Sequence, residues 1–131
     1  MQVAIKNAKI VLGVSAGIAV YKAVEILRLL VKEGADVRVV MSANAGKFVT
    51  PLTFAALSGN PVYHSLFDSQ NSADMEHIRV AENADLLVVA PATASMLGKM
   101  AHGLADDALS NLHLAFKGSV LVAPAMNDGM W

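Results

Sequence analysis

Four short aliphatic runs, separated by longer segments with helical periodicity, constrain the fold of this chain more than any other feature. The runs are KIVLGV (Lys9–Val14), DVRVVM (Asp36–Met41), DLLVVA (Asp85–Ala90) and SVLVA (Ser119–Ala123). The third run is apolar throughout, which is typical of a central strand covered on both faces. Strands that alternate with helices form parallel sheets with right-handed crossovers. The pattern therefore predicts an α/β fold, a Rossmann-like, doubly wound parallel sheet in three layers.

The helices between these strands have recognisable boundary residues. The first begins at Val20 and ends at Gly34, and the second begins at Thr50-Pro51 and stops near Gly59. Two further helical segments are predicted, over residues 93–101 and 106–116. The stretch Val62–Phe67 predicts a short edge strand, and Asp68–Asp74 a polar loop.

Composition narrows the class of protein. With 131 residues, 55% of them hydrophobic, the chain fits one domain with a substantial core. A net charge of −1 and the lack of any basic run argue against nucleic-acid binding. The apolar stretch Ile10–Tyr21 follows two lysines, but Gly13, Ser15 and Gly17 interrupt it, and it is far shorter than the ~20 residues of a membrane span. We therefore expect a cytoplasmic protein that does not enter a membrane.

Small and uncharged residues follow all four predicted strands. The segments are Ser15–Gly17, Ser42–Asn44, Pro91–Ser95 and Pro124–Asn127. Ligands of doubly wound sheets bind outside the carboxyl ends of the strands, where small residues let backbone N–H groups approach a phosphate. Such residues also make ordinary turns. Four loops of this kind at one edge nevertheless favour a phosphate-bearing, aromatic ligand.

Known nucleotide-binding and hydrolase motifs fit the chain poorly. It contains neither G-x-G-x-x-G nor a Walker A sequence. Residues 13–17 (GVSAG) match the G-x-S-x-G nucleophile elbow, and Asp85 or Asp106 could serve as acid with His113 as base. This elbow would lie on the first strand, where no earlier strand supplies an oxyanion loop. Asp106 and Asp107 are more simply explained as residues that cap and charge a helix start. A serine hydrolase is thus a weaker alternative.

None of the four histidines has the spacing of a metal site. His64, His77, His102 and His113 form neither His-x-His nor His-Glu-x-x-His, and the chain has no cysteine, so we expect no bound metal. The context of His77 is different, because it follows a polar loop just before the central strand. That position would bring it over the carboxyl edge of the sheet.

Six short motifs, in order, resemble those of the homo-oligomeric flavin-containing cysteine decarboxylases. They are GVSAGIAVYK (13–22), FVTPLT (48–53), MEHI (75–78), APATA (90–94) with GLADD (103–107), and PAMN (124–127) ahead of Met130-Trp131. Each motif is weak alone, but the ordered set covers nearly the whole chain.

The resemblance implies an FMN site built from the strand-end loops. Its cofactor contacts would be Ser15, Ala16, Gly17, Ser42, Asn44, Thr93, Ala94, Ser95, Met96 and Ala125. His77 and Asn127 would be the catalytic residues, and Asn127 and Met130 would bind the substrate. The flavin would carry the redox chemistry while the protein orients the substrate.

Within the family, the chain is most similar to the flavoprotein domain of bacterial phosphopantothenoylcysteine decarboxylases. This implies a carboxy-lyase that uses FMN to convert 4'-phosphopantothenoylcysteine into 4'-phosphopantetheine in coenzyme A biosynthesis, through a thioaldehyde. It also implies a trimer-based homo-oligomer, in some forms a dodecamer, that is fused to or partnered with a phosphopantothenate–cysteine ligase domain. Ile26 and Leu29, which widen the apolar stripe of the first helix, favour an oligomer independently.

Several related functions stay open at this point. Within the fold they are a peptidyl-cysteine decarboxylase, a dipicolinate synthase subunit and a flavin prenyltransferase, the last disfavoured by the MEHI and PAMN motifs. From a different class comes a non-catalytic, flavin-binding regulatory subunit.

Two departures from the family pattern affect the expected activity. Ser95-Met96 replace the usual Asn-Thr, which removes an amide donor from the flavin loop. The chain ends at Trp131 and lacks the cysteine that protonates the product in the family. We therefore expect residues 1–131 to be a single FMN-binding domain truncated at its C-terminal end, which completes the oxidative half of the reaction at best.

Overall fold

A parallel four-stranded sheet lies between two layers of helices in the computed structural model, which describes residues 5–66 and 72–131. The strands are β1 (Lys9–Val14), β2 (Asp36–Met41), β3 (Leu86–Ala92) and β4 (Ser119–Pro124), in the spatial order β2-β1-β3-β4. All three strand pairs are parallel. The predicted fold class is confirmed, and the strand expected to be central is β3.

Four of the five helices in the described residues lie close to where the sequence predicts them, and the helix over Ser72–Glu82 is the exception. Those of the described residues are α1 (Val20–Lys32), α2 (Pro51–Ser58), α3 (Ser72–Glu82), α4 (Ala94–His102) and α5 (Ala108–Ala115), with 3₁₀ turns at Ala45–Lys47 and Asp128–Met130. Gly34 and Gly59 follow α1 and α2 with φ of 91° and 73°, the left-handed conformation that commonly ends a helix. None of these helices is long and apolar enough to cross a bilayer.

Successive residues of the strands point to opposite faces of the sheet and pack into two separate hydrophobic cores. Val37, Val39 and Met41 of β2 face α1 and α2, together with the fully buried Phe54 of α2. On the opposite face, residues of β1 and β3 pack against α3, α4 and α5 around Leu109. The period of two in the strands thus places helices on both faces, which is the three-layer arrangement.

The predicted edge strand over Val62–Phe67 is wrong for the residues that the structure describes. Only Tyr63 pairs with β2, through a single bridge to Val40. Because Tyr63 lies opposite Val40 and β2 ends at Met41, the residues after His64 have no strand residue opposite them. On the other side of Tyr63, the side-chain amide of Asn60 donates to the carbonyl of Val37 at 2.7 Å, the acceptor that residue 61 would use. Pro61 in addition has no N–H to donate. Phe67 lies outside the described residues.

A helix replaces part of the predicted polar loop. Residues 68–71 lie outside the described residues, but 72–74 already belong to α3, and Asp74 is in its first turn. Because α3 extends to Glu82, His77 is a helical residue and not part of a loop at the strand end. This is the largest difference between the sequence-based expectation and the structure.

Gly13 lets α5 pack closely against β1, and we expect Gly13→Ala to lower the free energy of unfolding by about 1–3 kcal/mol. A Cβ atom there would lie 2.6 Å from Cδ1 of the buried Leu109. Urea denaturation of Gly13→Ala, Leu109→Val and the double variant measures the coupling between the two positions. The double variant should lose less free energy of unfolding than the two single variants lose together. Gly98→Ala is the control, since a Cβ there meets nothing within 4 Å. Additive losses would contradict this account.

Candidate functional site

The four strand-end segments meet at one edge of the sheet and are tied together by hydrogen bonds. The N–H of Ser42 donates to the carbonyl of Val14 at 2.9 Å, which joins the end of β2 to the end of β1. The N–H of Ala125 donates to the carbonyl of Ala92 at 3.0 Å, which joins β4 to β3. The expected convergence of these loops is therefore present in the structure.

The central junction depends on the hydroxyl group of Ser15. This buried side chain donates a hydrogen bond to the carbonyl of Pro91 and accepts one from the N–H of Thr93 at 3.0 Å. Its single proton is thus committed to a backbone acceptor, and no basic side chain among the described residues bonds to it. Ser15 is consequently a structural tie between β1 and β3, which weighs against the nucleophile-elbow hypothesis.

Backbone N–H groups are available beside this tie. Within the described residues, those of Ala16, Gly17 and Ile18 donate to no protein acceptor. A Cβ on Gly17 would lie 3.2 Å from Cγ2 of Thr93, so the absence of a side chain keeps the segment close to the start of α4. Thr93 caps that helix by accepting from the N–H of Met96 at 3.2 Å. This edge therefore presents unpaired donors at a helix N-terminus, which suits an anionic group.

The other residues predicted to contact a cofactor occupy distinct environments. Ser42 is buried, whereas Asn44 is exposed in a left-handed conformation with φ of 72°. In the first turn of α4, Ser95 is exposed but Met96 is buried in the core around Leu109. The N–H of Met96 is already bonded to the Thr93 hydroxyl, and the Met96 side chain packs in that core.

A cavity of about 210 Å³ lies at the end of β2. Its lining includes Ser42, Asn44, Lys47 and His64. Lys47, on the 3₁₀ turn after β2, supplies a positive charge in surroundings that are otherwise uncharged. The cavity therefore adds electrostatic attraction for an anion at this edge.

Asp107 holds the segment after β2 in place. Its carboxylate accepts the N–H of Ala43 at 2.9 Å, and it caps α5 by accepting the N–H of Ser110 at 2.9 Å. Burial acts to raise the pKa of this carboxyl, but the hydrogen bonds from Ser110 and Ala43 and the charge of Lys99 outweigh it and hold the pKa below its ordinary value. The expected capping role of Asp107 is present, together with a second contact that the sequence did not indicate.

His77 lies at a different place, beneath the outer edge of β2. Its Nδ1 atom is 2.9 Å from Nη1 of Arg38, a residue in the middle of that strand. Both line a cavity of about 80 Å³ with Tyr63 and His64. Burial raises the pKa of Tyr63, and the charges of Glu82 and Asp107 raise it further, so the phenol keeps its proton at neutral pH.

Asn127 and Met130 follow β4 and lie at the opposite edge of the sheet. Both are exposed, and Trp131 beside them is 82% exposed. Three strand spacings separate β2 from β4, or about 14 Å. The structure therefore does not bring His77 and Asn127 together within one chain.

Sequence reasoning missed three residues that shape these sites. Arg38 and Lys47 carried no motif, and their roles depend on partners distant in the sequence. His64 lines both cavities and so lies between the end of β2 and His77. The sequence signal for His64 was its place within the predicted edge strand Val62–Phe67.

Comparison with protein families gives a match over nearly the full chain. The model of the Flavoprotein family matches residues 2–131. Two curated relatives are similar: the coenzyme A biosynthesis bifunctional protein CoaBC of Vibrio cholerae, 50% identical over 94% of this chain, and that of Bacillus subtilis, 49% identical over 97%. The chain spans 31% of the length of each.

Solved structures share the fold. The FMN-dependent cysteine decarboxylase SpaF aligns with a TM-score of 0.85 and 30% identity, over 98% of this chain and 74% of SpaF. A PPC decarboxylase mutant complexed with pantothenoylaminoethenethiol aligns with a TM-score of 0.75 and 30% identity, over 96% of this chain and 71% of that one.

The environment of Asp107 predicts a pH-dependent stability difference. At pH 7, Asp107→Asn should be less stable than the wild type by about 1–2 kcal/mol, because it loses charge-assisted hydrogen bonds. A lowered folded-state pKa stabilises the fold above the unfolded pKa, and this gain is lost as the pH falls through the folded value. Urea denaturation between pH 7 and pH 3 should show the difference shrinking below about pH 4.

The exposed Asp128 provides the matched control, and Asp128→Asn should change stability little at any pH. A difference for Asp107→Asn that is absent at pH 7, or unchanged at the lowest pH, would contradict the assigned environment.

Proposed function

The chain belongs to the Flavoprotein family, and from this and the strand-end geometry we propose that it binds FMN and decarboxylates 4'-phosphopantothenoylcysteine. The observation that carries the proposal is the junction between β1 and β3. In the order β2-β1-β3-β4 the connections diverge there, which makes it the topological switch point of the sheet. In flavodoxin-like sheets of the same order, FMN binds at the β1/β3 switch point.

The residues at this junction suit a flavin mononucleotide. Unpaired N–H groups from Ala16 to Ile18 and the N-terminus of α4 would bind the phosphate, with Lys47 adding a positive charge. The uncharged segments Ser42–Asn44 and Ala125–Asn127 would lie along the remainder of the cofactor. A dinucleotide is disfavoured, because the segment after β1 lacks the glycine spacing that a pyrophosphate requires.

When bound, FMN supplies the two-electron oxidation that turns the cysteine thiol of the substrate into a thioaldehyde and makes loss of CO₂ easy. The chain would supply binding and orientation. The amide of Asn127 can donate to the substrate carboxylate and hold it until it leaves, and the exposed Met130 would cover the cysteine end. His77 would contact the reacting end of the substrate from the other side.

A site that uses both His77 and Asn127 requires two copies of the chain. The two residues lie at opposite sheet edges in one chain, so His77 of one copy would complete the site at the other copy's Asn127. Exposed apolar residues on α1 and in the segment before it support contacts between copies. Ile18, before the helix, is 80% exposed, and Leu29, on the helix, is 61% exposed. A trimer-based homo-oligomer satisfies both observations, because each copy both gives and receives a residue.

The comparisons support the proposed substrate class. Identity is far higher to the coenzyme A biosynthesis proteins than to the cysteine decarboxylase of solved structure, which favours the pantothenate derivative over a peptide. A ligase domain, as partner or fusion, is proposed on the same basis. We also propose that residues 1–131 form one FMN-binding domain and that it acts in the cytoplasm.

The direct test is to load the protein with FMN and add 4'-phosphopantothenoylcysteine without oxygen. We expect bleaching of the visible flavin band and release of CO₂. Bleaching only with a peptide that ends in cysteine would indicate a peptidyl-cysteine decarboxylase, and FMN binding with no bleaching would indicate a regulatory subunit. Tight NAD binding without FMN binding would refute the cofactor assignment.

FMN affinity should depend on the close approach at Gly17. Gly17→Ala should weaken FMN binding about tenfold, because the new methyl pushes the segment after β1 away from Thr93 and misaligns its N–H donors. Fluorescence titration of FMN measures the dissociation constant. Gly98→Ala, in the open part of α4, should bind FMN as the wild type does. Equal affinity for wild type and Gly17→Ala would place the phosphate elsewhere.

Mixing two inactive variants tests the shared site. His77→Asn and Asn127→Ala should each fail to bleach FMN, while a 1:1 mixture refolded together should recover roughly a quarter of the wild-type rate, since that fraction of sites pairs the two intact residues. Recovery would not occur if both residues came from one copy. Lys117→Gln, an exposed change outside α1 and the proposed site, serves as a mixing partner with an intact site.

A further inference from the structure

The contact between Arg38 and His77 determines which ring nitrogen of the histidine carries the proton. A guanidinium has five N–H donors and no acceptor, and it keeps its charge at all pH values of interest. Nη1 of Arg38 lies 2.9 Å from Nδ1 of His77, a normal hydrogen-bond distance. Nδ1 must therefore accept, which leaves it without a proton.

The contact is held by regular structure on both sides. Arg38 lies at the centre of β2, opposite Val11 in the register of the sheet, and is partly buried. His77 lies in α3, and Ala81 one turn further along packs into the core beneath the sheet. Within the described residues, His77 is the one side chain that the Arg38 guanidinium is seen to hydrogen-bond. A charged donor thus pairs with a ring nitrogen and not with a carboxylate.

The groups that line the shared cavity do not offer a competing arrangement at Nδ1. Tyr63 keeps its proton at neutral pH, His64 is exposed at the mouth, and Asp74 lies one turn before His77 on α3. Since the position next to Nδ1 is filled by Arg38, the second nitrogen, Nε2, is the one that faces away from the strand. In a neutral ring it carries the proton.

We propose that Arg38 is a positioning residue that fixes His77 as the Nε2–H tautomer, so that His77 presents a hydrogen-bond donor to its ligand. The tautomer itself is a property of the free protein; its use rests on the proposed function. In the decarboxylase site, Nε2–H would donate to an anionic atom of the substrate, its thiolate or its carboxylate. His77 would then hold a charge in place and would not withdraw a proton through Nε2.

Nitrogen NMR of the histidine rings tests the proposal without cofactor or substrate. The chain is labelled with ¹⁵N, and two-bond correlations are recorded for the neutral ring, with His77→Gln used to assign the signals. The wild type should show a protonated Nε2 and an unprotonated Nδ1. In Arg38→Met the ratio of Nε2–H to Nδ1–H should fall about tenfold, the effect of one lost charge-assisted hydrogen bond.

Two further variants separate positioning from a structural role. Arg38→Lys keeps a positive donor and should retain the wild-type tautomer. Arg28→Met removes the same charge from the exposed face of α1 and should leave the His77 signals unchanged. A wild-type His77 protonated at Nδ1 would overturn the proposal by itself, even if Arg38→Met failed to fold. An unchanged ratio in folded Arg38→Met would do the same.

The outcomes for this proposal and for the proposed function are distinguishable. Loss of FMN binding or of substrate-dependent bleaching bears on the function alone, because the ring signals are read in the free protein. Conversely, the wrong tautomer would leave decarboxylation intact and would reassign His77 to accepting a proton.

Discussion

The hydrogen bonds of the Ser15 hydroxyl are the interaction on which the candidate site depends. The hydroxyl joins the end of β1 to the end of β3. At this position of the sheet the connection from β1 leads to β2 on one side, and the later strands β3 and β4 lie on the other. Without the hydroxyl, the partly buried N–H of Thr93 would be left without a protein acceptor, which costs about 1–3 kcal/mol. The carbonyl of Pro91 would still accept the backbone N–H of Ser15 at 3.3 Å. By bonding to both groups, the Ser15 hydroxyl brings a segment of unpaired N–H groups alongside the first turn of α4. Sequence reasoning placed this side chain among the ligand contacts, whereas its observed hydrogen bonds hold the backbone segment that we propose for those contacts.

The sheet and four of the five described helices could be predicted because their signals are local. Aliphatic runs of strand length, the Thr50-Pro51 start of α2 and the glycines after α1 and α2 each depend on a few neighbouring residues. The convergence of the small-residue segments followed in turn from parallel topology. This part of the site was accessible from sequence because a rule about folds connects distant segments.

The remainder depends on contacts that leave no local signal. The helix α3 buries little besides Ala81, so its apolar pattern is weak and its polar start resembles a loop. The side chain of Asn60 occupies the carbonyl of Val37 at the edge of β2, and β2 itself ends one residue after the position opposite Tyr63, so this segment forms a single bridge. Arg38 meets His77 across 39 positions of sequence. In each case a side chain outcompetes or redirects the backbone preference, and its partner is known only from the fold.

The carboxylate of Asp107 is shared by the segment after β2 and the start of α5, and it couples the local opening of these two regions. The N–H of Ala43, after β2, and the N–H of Ser110, in the first turn of α5, bond to the same side chain. Opening either contact frees the carboxylate to rotate and weakens the other, so the two amides belong to one cooperative opening unit. We therefore expect a molecule bound to the segment after β2 to slow amide hydrogen exchange at the start of α5, a helix that it does not touch. Occupancy of the sheet edge would in this way reach the helical layer beneath it.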